Sequence, residues 1–237
     1  MLHSKGHRVL IDPMLSVRHV PHDPVTGEGV AAVVLTSGNA LPGLDDPLRR
    51  LPILAVGQAT AQAAIAAGCA DVGTAGGDGV ELAGLVRERI APEAGIILHV
   101  CGEEVRDGLE AALVEAGYRY ERLVVYRTET AARLAPRTLQ ALERQELDAV
   151  LFYSPRSAQV FARLVERDGL SGHLAHVSAV CLSEAIAAEV RRLPWRSVEV
   201  AQRRDQTALL ACLEDLAAAM IAQHGIDPGR GRFVRGR

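Results

Sequence analysis

Four apolar runs in this sequence each lead into a hydroxyl residue at the start of a helix-like segment; these residues are Ser37, Thr60, Ser154 and Ser183. The first turn of a helix carries unpaired backbone N–H groups and a partial positive charge, and small side chains let an anion approach them closely. Plain N-capping by serine or threonine is the alternative at any single turn. Four such turns together favour a cleft that binds an anionic ligand.

Two arginines extend this candidate site. Arg106 and Arg156 stand near the starts of predicted helices, where a guanidinium can bind a carboxylate through two parallel hydrogen bonds. A solvated surface arginine is the alternative for each. The predicted binding residues are Ser37, Gly38, Asn39, Gln58, Ala59, Thr60, Gly102, Arg106, Ser154, Pro155, Arg156, Ser157, Ser183 and Glu184.

The elements that must position these residues follow from an alternation of apolar runs and amphipathic segments. Strands are predicted at 30–36, 53–56 and 96–100, with helices at 58–67, 81–90 and 105–116. This alternation predicts an α/β fold with parallel sheets covered by helices. The strand-to-helix turns then all lie at the carboxyl ends of the strands, where such folds bind ligands.

Three segments of the chain occur twice in the same order, which predicts two copies of one α/β domain. The matched pairs are Val34–Ala40 with Leu151–Ser157, Ala55–Ala61 with Ala179–Ala185, and Gly77–Leu82 with Arg204–Leu209. Two apolar segments between the copies are strand-like and fit a two-stranded linker. The predicted organisation is a discontinuous domain of 1–14 plus 128–221, linker strands 15–18 and 123–127, an inserted domain 19–122 and a disordered tail 222–237.

Composition excludes several classes of protein. Hydrophobic residues make up 49% and charged residues 23%, as in globular proteins, and the net charge of −3 argues against a nucleic-acid surface. There is no membrane-length apolar run and no signal-peptide core, so a cytoplasmic protein is expected. The sequence has no phosphate-binding P-loop, its four cysteines are far apart, and its two H-x-x-H pairs lie in loop-like stretches, so no metal or nucleotide is expected.

Five short motifs, taken in order, resemble the uroporphyrinogen-III synthase family up to about Ala219. They are Leu35-Thr36-Ser37, Val56-Gly57-Gln58-Ala59-Thr60, Cys101-Gly102 with Arg106, Val125-Tyr126-Arg127-Thr128, and Phe152-Tyr153-Ser154-Pro155. The resemblance implies two flavodoxin-like domains joined by a two-stranded linker, with the N-terminal segment belonging to the C-terminal domain. It also implies that no metal or cofactor is needed. A monomer is expected.

The same resemblance implies a reaction in tetrapyrrole biosynthesis, on the routes to heme, siroheme and cobalamin. The enzyme would be a lyase that closes hydroxymethylbilane to uroporphyrinogen III, with loss of water and inversion of ring D. Tyr126, on the linker, is implied as the catalytic residue that assists loss of the substrate hydroxyl, since a phenol can donate a hydrogen bond to a leaving oxygen. A packing role in the linker is the alternative for Tyr126.

Two departures from the family pattern leave a second function open. The sequence begins near the end of the family's first helix, so the family's N-terminal strand is expected to be missing, and the chain is expected to be less stable or less active than one extended upstream. Cys181-Leu182-Ser183-Glu184 stands where the family usually has a Gly-x-Thr-like turn. The alternative is therefore a non-catalytic descendant that binds a tetrapyrrole or a partner protein.

Overall fold

The structure is a computed structural model that describes residues 6–105, 108–224 and 232–236. Its strands are β1 (Arg8–Ile11), β2 (Leu15–His19), β3 (Val30–Leu35), β4 (Ile53–Ala55), β5 (Val72–Thr74), β6 (Ile96–Gly102), β7 (Arg119–Thr130), β8 (Ala149–Phe152), β9 (Ser178–Cys181), β10 (Ser197–Val200) and β11 (Arg232–Gly236). Its α-helices are α1 (Gln58–Ala66), α2 (Gly79–Arg89), α3 (Leu109–Glu115), α4 (Pro136–Glu143), α5 (Pro155–Arg167), α6 (Glu184–Val190) and α7 (Gln206–His224). Short 3-10 helices lie at Gly38–Gly43, Leu48–Arg50, Pro92–Ala94 and Ser171–Leu174.

The chain divides into two compact units. The continuous unit is Val17–Glu129, and the split unit combines Met1–Ser16 with Thr130–Arg237. The first sheet has the strand order β2-β7-β6-β3-β4-β5, and the second has the order β1-β11-β8-β9-β10. The strand pairs around β3, β6, β8 and β9 are parallel. The predicted alternation of strands and helices is therefore confirmed as a mixed α/β fold with mainly parallel sheets.

The sheet of the continuous unit is covered on both faces because its central strands are apolar throughout. In β3, Val33 and Leu35 join the core beneath α1 and the 3-10 helix Gly38–Gly43. Ala32 and Val34 join the opposite core beneath α2 and α3. A strand turns successive side chains to opposite faces, so a continuous apolar run fits a strand buried on both sides.

The core of the split unit contains a cluster of three aromatic rings. Phe152 at the end of β8 meets Phe161 of α5 edge to face, with ring centroids 5.3 Å apart. Trp195 stacks on Phe161 at 5.9 Å and donates its indole N–H to the carbonyl oxygen of Val190. This arrangement satisfies the one polar atom of the indole while its ring fills the core.

The two sheets have the same strand order once β2 is set aside. The order β7-β6-β3-β4-β5 corresponds to β1-β11-β8-β9-β10, and the helices that follow β4 and β5 correspond to those that follow β9 and β10. In this correspondence β11 holds the position that β6 holds in the continuous unit. The repeat seen in the sequence is therefore also a repeat of topology.

Two segments of the predicted disordered tail at 222–237 are regular elements, while residues 225–231 and 237 lie outside the described residues. Helix α7 extends to His224, and β11 pairs in parallel with β1 on one side and β8 on the other. The sequence of β11 contains Phe233 and Val234, which favour strands. The prediction of disorder rested on the glycines and arginines that surround them. In the described part of the chain, no helix is long and apolar enough to cross a membrane.

Candidate active site

The first strand-to-helix turn of each unit is capped by its own serine. After β3, the hydroxyl oxygen of Ser37 accepts a hydrogen bond from the backbone N–H of Asn39 at 3.2 Å. After β8, the hydroxyl oxygen of Ser154 accepts from the N–H of Ser157 at 3.1 Å, and the two hydroxyl oxygens are 2.9 Å apart. Plain N-capping therefore accounts for the serines at both turns.

The third turn of each unit is capped by an aspartate. Asp78 accepts hydrogen bonds from the N–H groups of Val80 and Glu81, both at 2.9 Å. Asp205, before α7, accepts from the N–H of Ala208 at 2.8 Å. These carboxylates place negative charge on the helix N-terminus, so the third turns do not favour a second anion.

The second turn of each unit has no side-chain cap. Gly57 precedes α1 and Ser183 precedes α6, and neither makes a capping hydrogen bond from its side chain. The first N–H groups of α1 and α6 are therefore not satisfied by a side chain of the cap residue. Of the three pairs of turns, the second pair best fits anion binding.

The structure aligns the second turns differently from the sequence match. The sequence match paired Gly57 with Cys181, but Cys181 is the last residue of β9. In the structure Gly57 corresponds to Ser183, because each is the residue before its helix. The first helical residues are then Gln58 and Glu184. The match was two residues out because the alanine-rich sequences around both turns fit each other in more than one register.

The two open turns differ in charge. Glu184 is ion-paired with the guanidinium of Arg191 on the same helix, and this pairing lowers the pKa of Glu184. At the corresponding position α1 has the neutral, exposed Gln58, followed by the exposed Ala59. The α1 turn thus presents free N–H groups without a carboxylate, whereas the α6 turn already holds one.

Tyr126 is placed by an irregularity between β6 and β7. Cys101 pairs with Val124, but the next residue, Gly102, pairs with Tyr126, so Val125 is an extra residue in β7. Val125 and Tyr126 both pack against the core beneath α1. Regular alternation would turn two successive residues to opposite faces, so the bulge brings Tyr126 onto the α1 side of the sheet.

Gly102 allows the ring of Tyr126 to lie against the end of β6. A Cβ atom on Gly102 would be 2.7 Å from both Cε2 and Cζ of Tyr126, closer than such atoms pack. The N–H of Glu103 also donates to the carbonyl oxygen of Tyr126 at 2.9 Å. The hydroxyl of Tyr126 has no hydrogen-bond partner among the residues that the structure describes, so it is available to a ligand.

The 3-10 helix Gly38–Gly43 links the α1 side of the sheet to this tyrosine. A Cβ on Gly38 would lie 3.5 Å from the Cβ of Ala63 in α1, and a Cβ on Gly43 would lie 2.5 Å from that of Val125. Both glycines therefore permit close contact, one with the helix and one with the bulge. Helix α1, the Ser37 turn and Tyr126 all belong to one face of the continuous unit.

A buried histidine that the sequence analysis treated only as part of a strand lies on the other face. His99 in β6 is completely buried. Its Nε2 atom is 3.0 Å from the hydroxyl oxygen of Thr36, and its Nδ1 atom is 2.6 Å from the hydroxyl oxygen of Tyr120. Burial, assisted by the charge of Arg122, lowers the pKa of His99 to about 4, so the imidazole is neutral at neutral pH. A polar residue inside an apolar strand was the signal available in the sequence.

Arg122 supports the end of β6 on that same face. Its guanidinium donates to the carbonyl oxygens of Gly102 at 3.4 Å and Glu103 at 3.1 Å. Burial raises the pKa of the nearby Cys101 thiol, which Arg122 partly offsets. Cys101 is therefore a protonated, buried residue, and Arg122 helps to fix the strand end that carries Gly102.

Comparison with known families decides the assignment. A family model described as "Uroporphyrinogen-III synthase HemD" matches residues 1–211. This chain belongs to the uroporphyrinogen-III synthase family.

One solved structure has a similar fold over most of both chains. The crystal structure of uroporphyrinogen-III synthetase from Helicobacter pylori 26695 is similar with a TM-score of 0.62 and 20% identity, over 86% of this chain and 91% of that chain. A mutant uroporphyrinogen III synthase from the extremely thermophilic bacterium Thermus thermophilus has 23% identity over 92% of each chain, with a TM-score of 0.48. A search of curated proteins finds no match.

The residues predicted to bind substrate in this uroporphyrinogen-III synthase family member differ in their exposure. Asn39, Gln58, Ala59 and Pro155 are exposed, whereas Ser157 is buried beneath the cap that it forms with Ser154. Gly102 is buried against Tyr126. Arg106 lies outside the described residues. Within the described ranges, no three histidine, cysteine or acidic side chains come together as a metal site.

Proposed function

We propose that this chain catalyses the closure of hydroxymethylbilane to uroporphyrinogen III, with loss of water and inversion of ring D, as a lyase. The observation that carries the proposal is the pairing, on one face of the continuous unit, of an open and neutral helix N-terminus with a tyrosine whose hydroxyl has no partner in the described residues. The first feature suits an anionic substrate, and the second suits a leaving hydroxyl group.

The substrate carries acetate and propionate groups on every ring, so carboxylate binding is the main requirement for recognition. The first N–H groups of α1, at Gln58, Ala59 and Thr60, would bind one such carboxylate. Backbone donors of this kind need no excess of basic residues, in keeping with the net charge of −3. Further contacts are proposed from Ser37, Gly38, Asn39, Gly102, Arg106, Ser154, Pro155, Arg156 and Ser183.

Tyr126 would act on the hydroxymethyl group of the bilane. Its phenol donates a hydrogen bond to the departing hydroxyl, which leaves as water and gives an azafulvene cation. The cation attacks ring D at its substituted carbon, and the resulting spiro intermediate fragments and closes again with ring D inverted. The bilane closes to the wrong isomer when unaided, so holding it in a folded conformation is part of the enzyme's task.

The proposal includes the finer architecture and setting that the family resemblance implies. Each unit would be a flavodoxin-like domain, with segments of β2 and β7 as the two-stranded linker. The protein would act as a cytoplasmic monomer without metal or cofactor. Support comes from the repeated strand order of the two sheets. If the enzyme needs no metal, its activity should survive treatment with EDTA and exhaustive dialysis.

The test is an assay with hydroxymethylbilane and separation of the product isomers. Tyr126→Phe should lower kcat about tenfold or more, equivalent to about 1.4 kcal/mol of barrier, and leave KM nearly unchanged. Tyr118→Phe is the matched control, because the hydroxyl of Tyr118 donates to the carbonyl oxygen of Ile90 at 2.7 Å, away from Tyr126. The control should lose stability and keep its kcat.

Two results would count against the proposal in different ways. A wild-type protein that forms no uroporphyrinogen III above the unaided background would exclude the synthase activity. Full kcat and normal isomer purity in Tyr126→Phe would instead leave Tyr126 as a packing residue, with binding and folding of the bilane as the enzyme's main contribution.

A further inference from the structure

A chain of three polar groups crosses the buried interior of the continuous unit. His99 pairs with Val34 of β3, which belongs to the core beneath α2 and α3. Both ring nitrogens of His99 are engaged, one by Tyr120 on β7 and the other by Thr36 at the end of β3. Thr36 is also the residue immediately before the Ser37 turn. The chain thus connects the middle of the sheet to its carboxyl end.

The direction of the hydrogen bonds follows from counting donors. A neutral imidazole has one N–H donor and one acceptor nitrogen, so its two partners must play opposite roles. Tyr120 holds its proton, since burial raises the pKa of its phenol, and in the described residues His99 is its one hydrogen-bond partner. If Nδ1 carried the imidazole proton, the half-buried Tyr120 O–H would have no acceptor among the residues that the structure describes, which is costly.

The favoured arrangement therefore runs from Tyr120 outward. The Tyr120 hydroxyl donates to Nδ1 of His99, and the Nε2–H of His99 donates to the hydroxyl oxygen of Thr36. Thr36 then accepts from the histidine and keeps its own proton for another acceptor. Thr36 is half-buried and has no other partner in the described part of the chain, whereas the neighbouring Ser37 hydroxyl already caps its helix.

We propose that Thr36 is a further substrate-binding residue, whose hydroxyl donates to a substrate carboxylate, and that His99 is the positioning residue that holds this hydroxyl in its donating orientation. This inference rests on the proposed synthase function, since it names an additional group that binds the same anionic substrate. Thr36 would bind an anion in a different way from the α1 turn. There backbone N–H groups bind the anion, while here a side-chain donor is oriented by a hydrogen bond from within the core.

The protonated nitrogen of His99 can be measured without substrate. Spectra of ¹⁵N-histidine-labelled protein, with His99 assigned among the eight histidines by a His99→Gln variant, should show the proton on Nε2 and an acceptor at Nδ1. A wild-type His99 with its proton on Nδ1 would overturn the inference, because Thr36 would then have to donate to the histidine.

Kinetics of paired variants test the role of Thr36. Thr36→Val, which keeps the shape but loses the hydroxyl, should raise KM about fivefold, the effect of one net hydrogen bond, with kcat within about twofold. Thr36→Ser, which keeps the hydroxyl, should restore KM. A normal KM in Thr36→Val, or a raised KM in both variants, would refute the binding role.

A second pair of variants distinguishes a positioning role of the hydrogen-bonded chain from a general effect on protein stability. Tyr120→Phe removes the donor to His99 and should raise KM severalfold. Tyr118→Phe removes a comparable hydroxyl two residues away, one that donates to Ile90, and should keep the wild-type KM despite a loss of stability. Equal changes in KM for the two variants would reduce the chain to a structural role. The KM of each variant is compared with that of an active wild-type protein. A failure of these KM predictions would therefore leave the proposed synthase activity itself intact.

Discussion

The two open turns of this protein have the same extended cap conformation but carry different charges. Helix α6 begins with Glu184, and the guanidinium of Arg191, seven residues later, binds that carboxylate. Helix α1 begins with Gln58, and the residue seven positions later is Ile65, which is 58% exposed. One turn therefore carries a carboxylate at its positive end, and the other carries none. A repeated fold therefore supplies the backbone geometry for anion binding twice, but the charge of the side chains at each helix N-terminus decides whether a further anion can bind there.

A second contrast concerns the strands beside these turns. The continuous unit contains His99, the one completely buried histidine in the described residues. In the split unit, the pKa of His176 is also lowered by partial burial, but this residue lies in a loop before β9. The two units should thus respond differently to acid.

Acid should unfold the continuous unit first, and this is the largest expected effect. In the unfolded chain His99 has its ordinary pKa of 6.5, so between pH 6.5 and about 4 the unfolded state binds more protons than the folded one. Stability is full above this window and falls through it, by about 3 kcal/mol at pH 4. Amide hydrogen exchange at pH 7, 5.5 and 4.5 should show protection lost in β3 and β6 before β8 and β9. A His99→Gln variant should flatten this pH dependence, and an unchanged slope would show that His99 does not cause it.

Gly102→Ala should have the largest effect on catalysis. The added methyl group would meet the ring of Tyr126 at 2.7 Å and force it from its place on β6. We expect kcat to fall by more than about tenfold, since a small displacement of a catalytic group is expensive. Gly84→Ala is the control, because no heavy atom lies within 4 Å of its added Cβ in α2, and it should slightly stabilise the helix. Normal kcat in Gly102→Ala would mean that the ring position does not matter.

Gln58→Glu gives the α1 turn the charge of the α6 turn with almost no change in shape. The new carboxylate would favour its own helix terminus and repel a substrate carboxylate. KM should rise about tenfold, equivalent to about 1.4 kcal/mol, and the rise should shrink at high salt because the repulsion is screened. Gln62→Glu is the matched control, because Gln62 is also exposed on α1 but lies one turn farther from the terminus. The same KM in both variants would show that the α1 terminus does not bind the substrate.

Glu184→Gln makes the opposite exchange at the α6 turn and should have the smallest effect on KM. It opens the α6 turn but leaves Arg191 unpaired, and an exposed ion pair of this kind contributes little stability. KM should fall by no more than about threefold, the scale of one exposed charge contact. Glu189→Gln, on the same helix, should leave KM unchanged. A tenfold or larger change in KM for Glu184→Gln would reverse our ranking of the two turns.

The sequence predicted the parts of the fold that depend on local pattern. Apolar runs followed by helices located the strands around Val33 and Leu54, and hydroxyl residues after strands located the turns at Ser37 and Ser154. Those patterns work because strand burial and helix capping involve neighbours in sequence. The α/β class and the family resemblance followed from them.

Other features depended on contacts that no local pattern contains. The bulge at Val125 arises from the pairing of two strands, so the sequence could place Tyr126 on β7 but not on a face of the sheet. The role of His99 depends on Tyr120 and Thr36, which lie on different strands. Ser157 was predicted as a binding residue because the sequence does not show that α5 turns it inward beneath Ser154.

The position of β11 also sets an order of events during synthesis. A ribosome synthesises every residue of the continuous unit before it reaches β8, so that sheet can be completed early. In the split unit, β1 is made first but its neighbour in the sheet is β11, made last. Until then β1 and β8 present unpaired edges, which favour pairing with other chains. The split unit therefore closes late, by insertion of β11 between β1 and β8, and the gap stays exposed from the synthesis of β8 until that of β11.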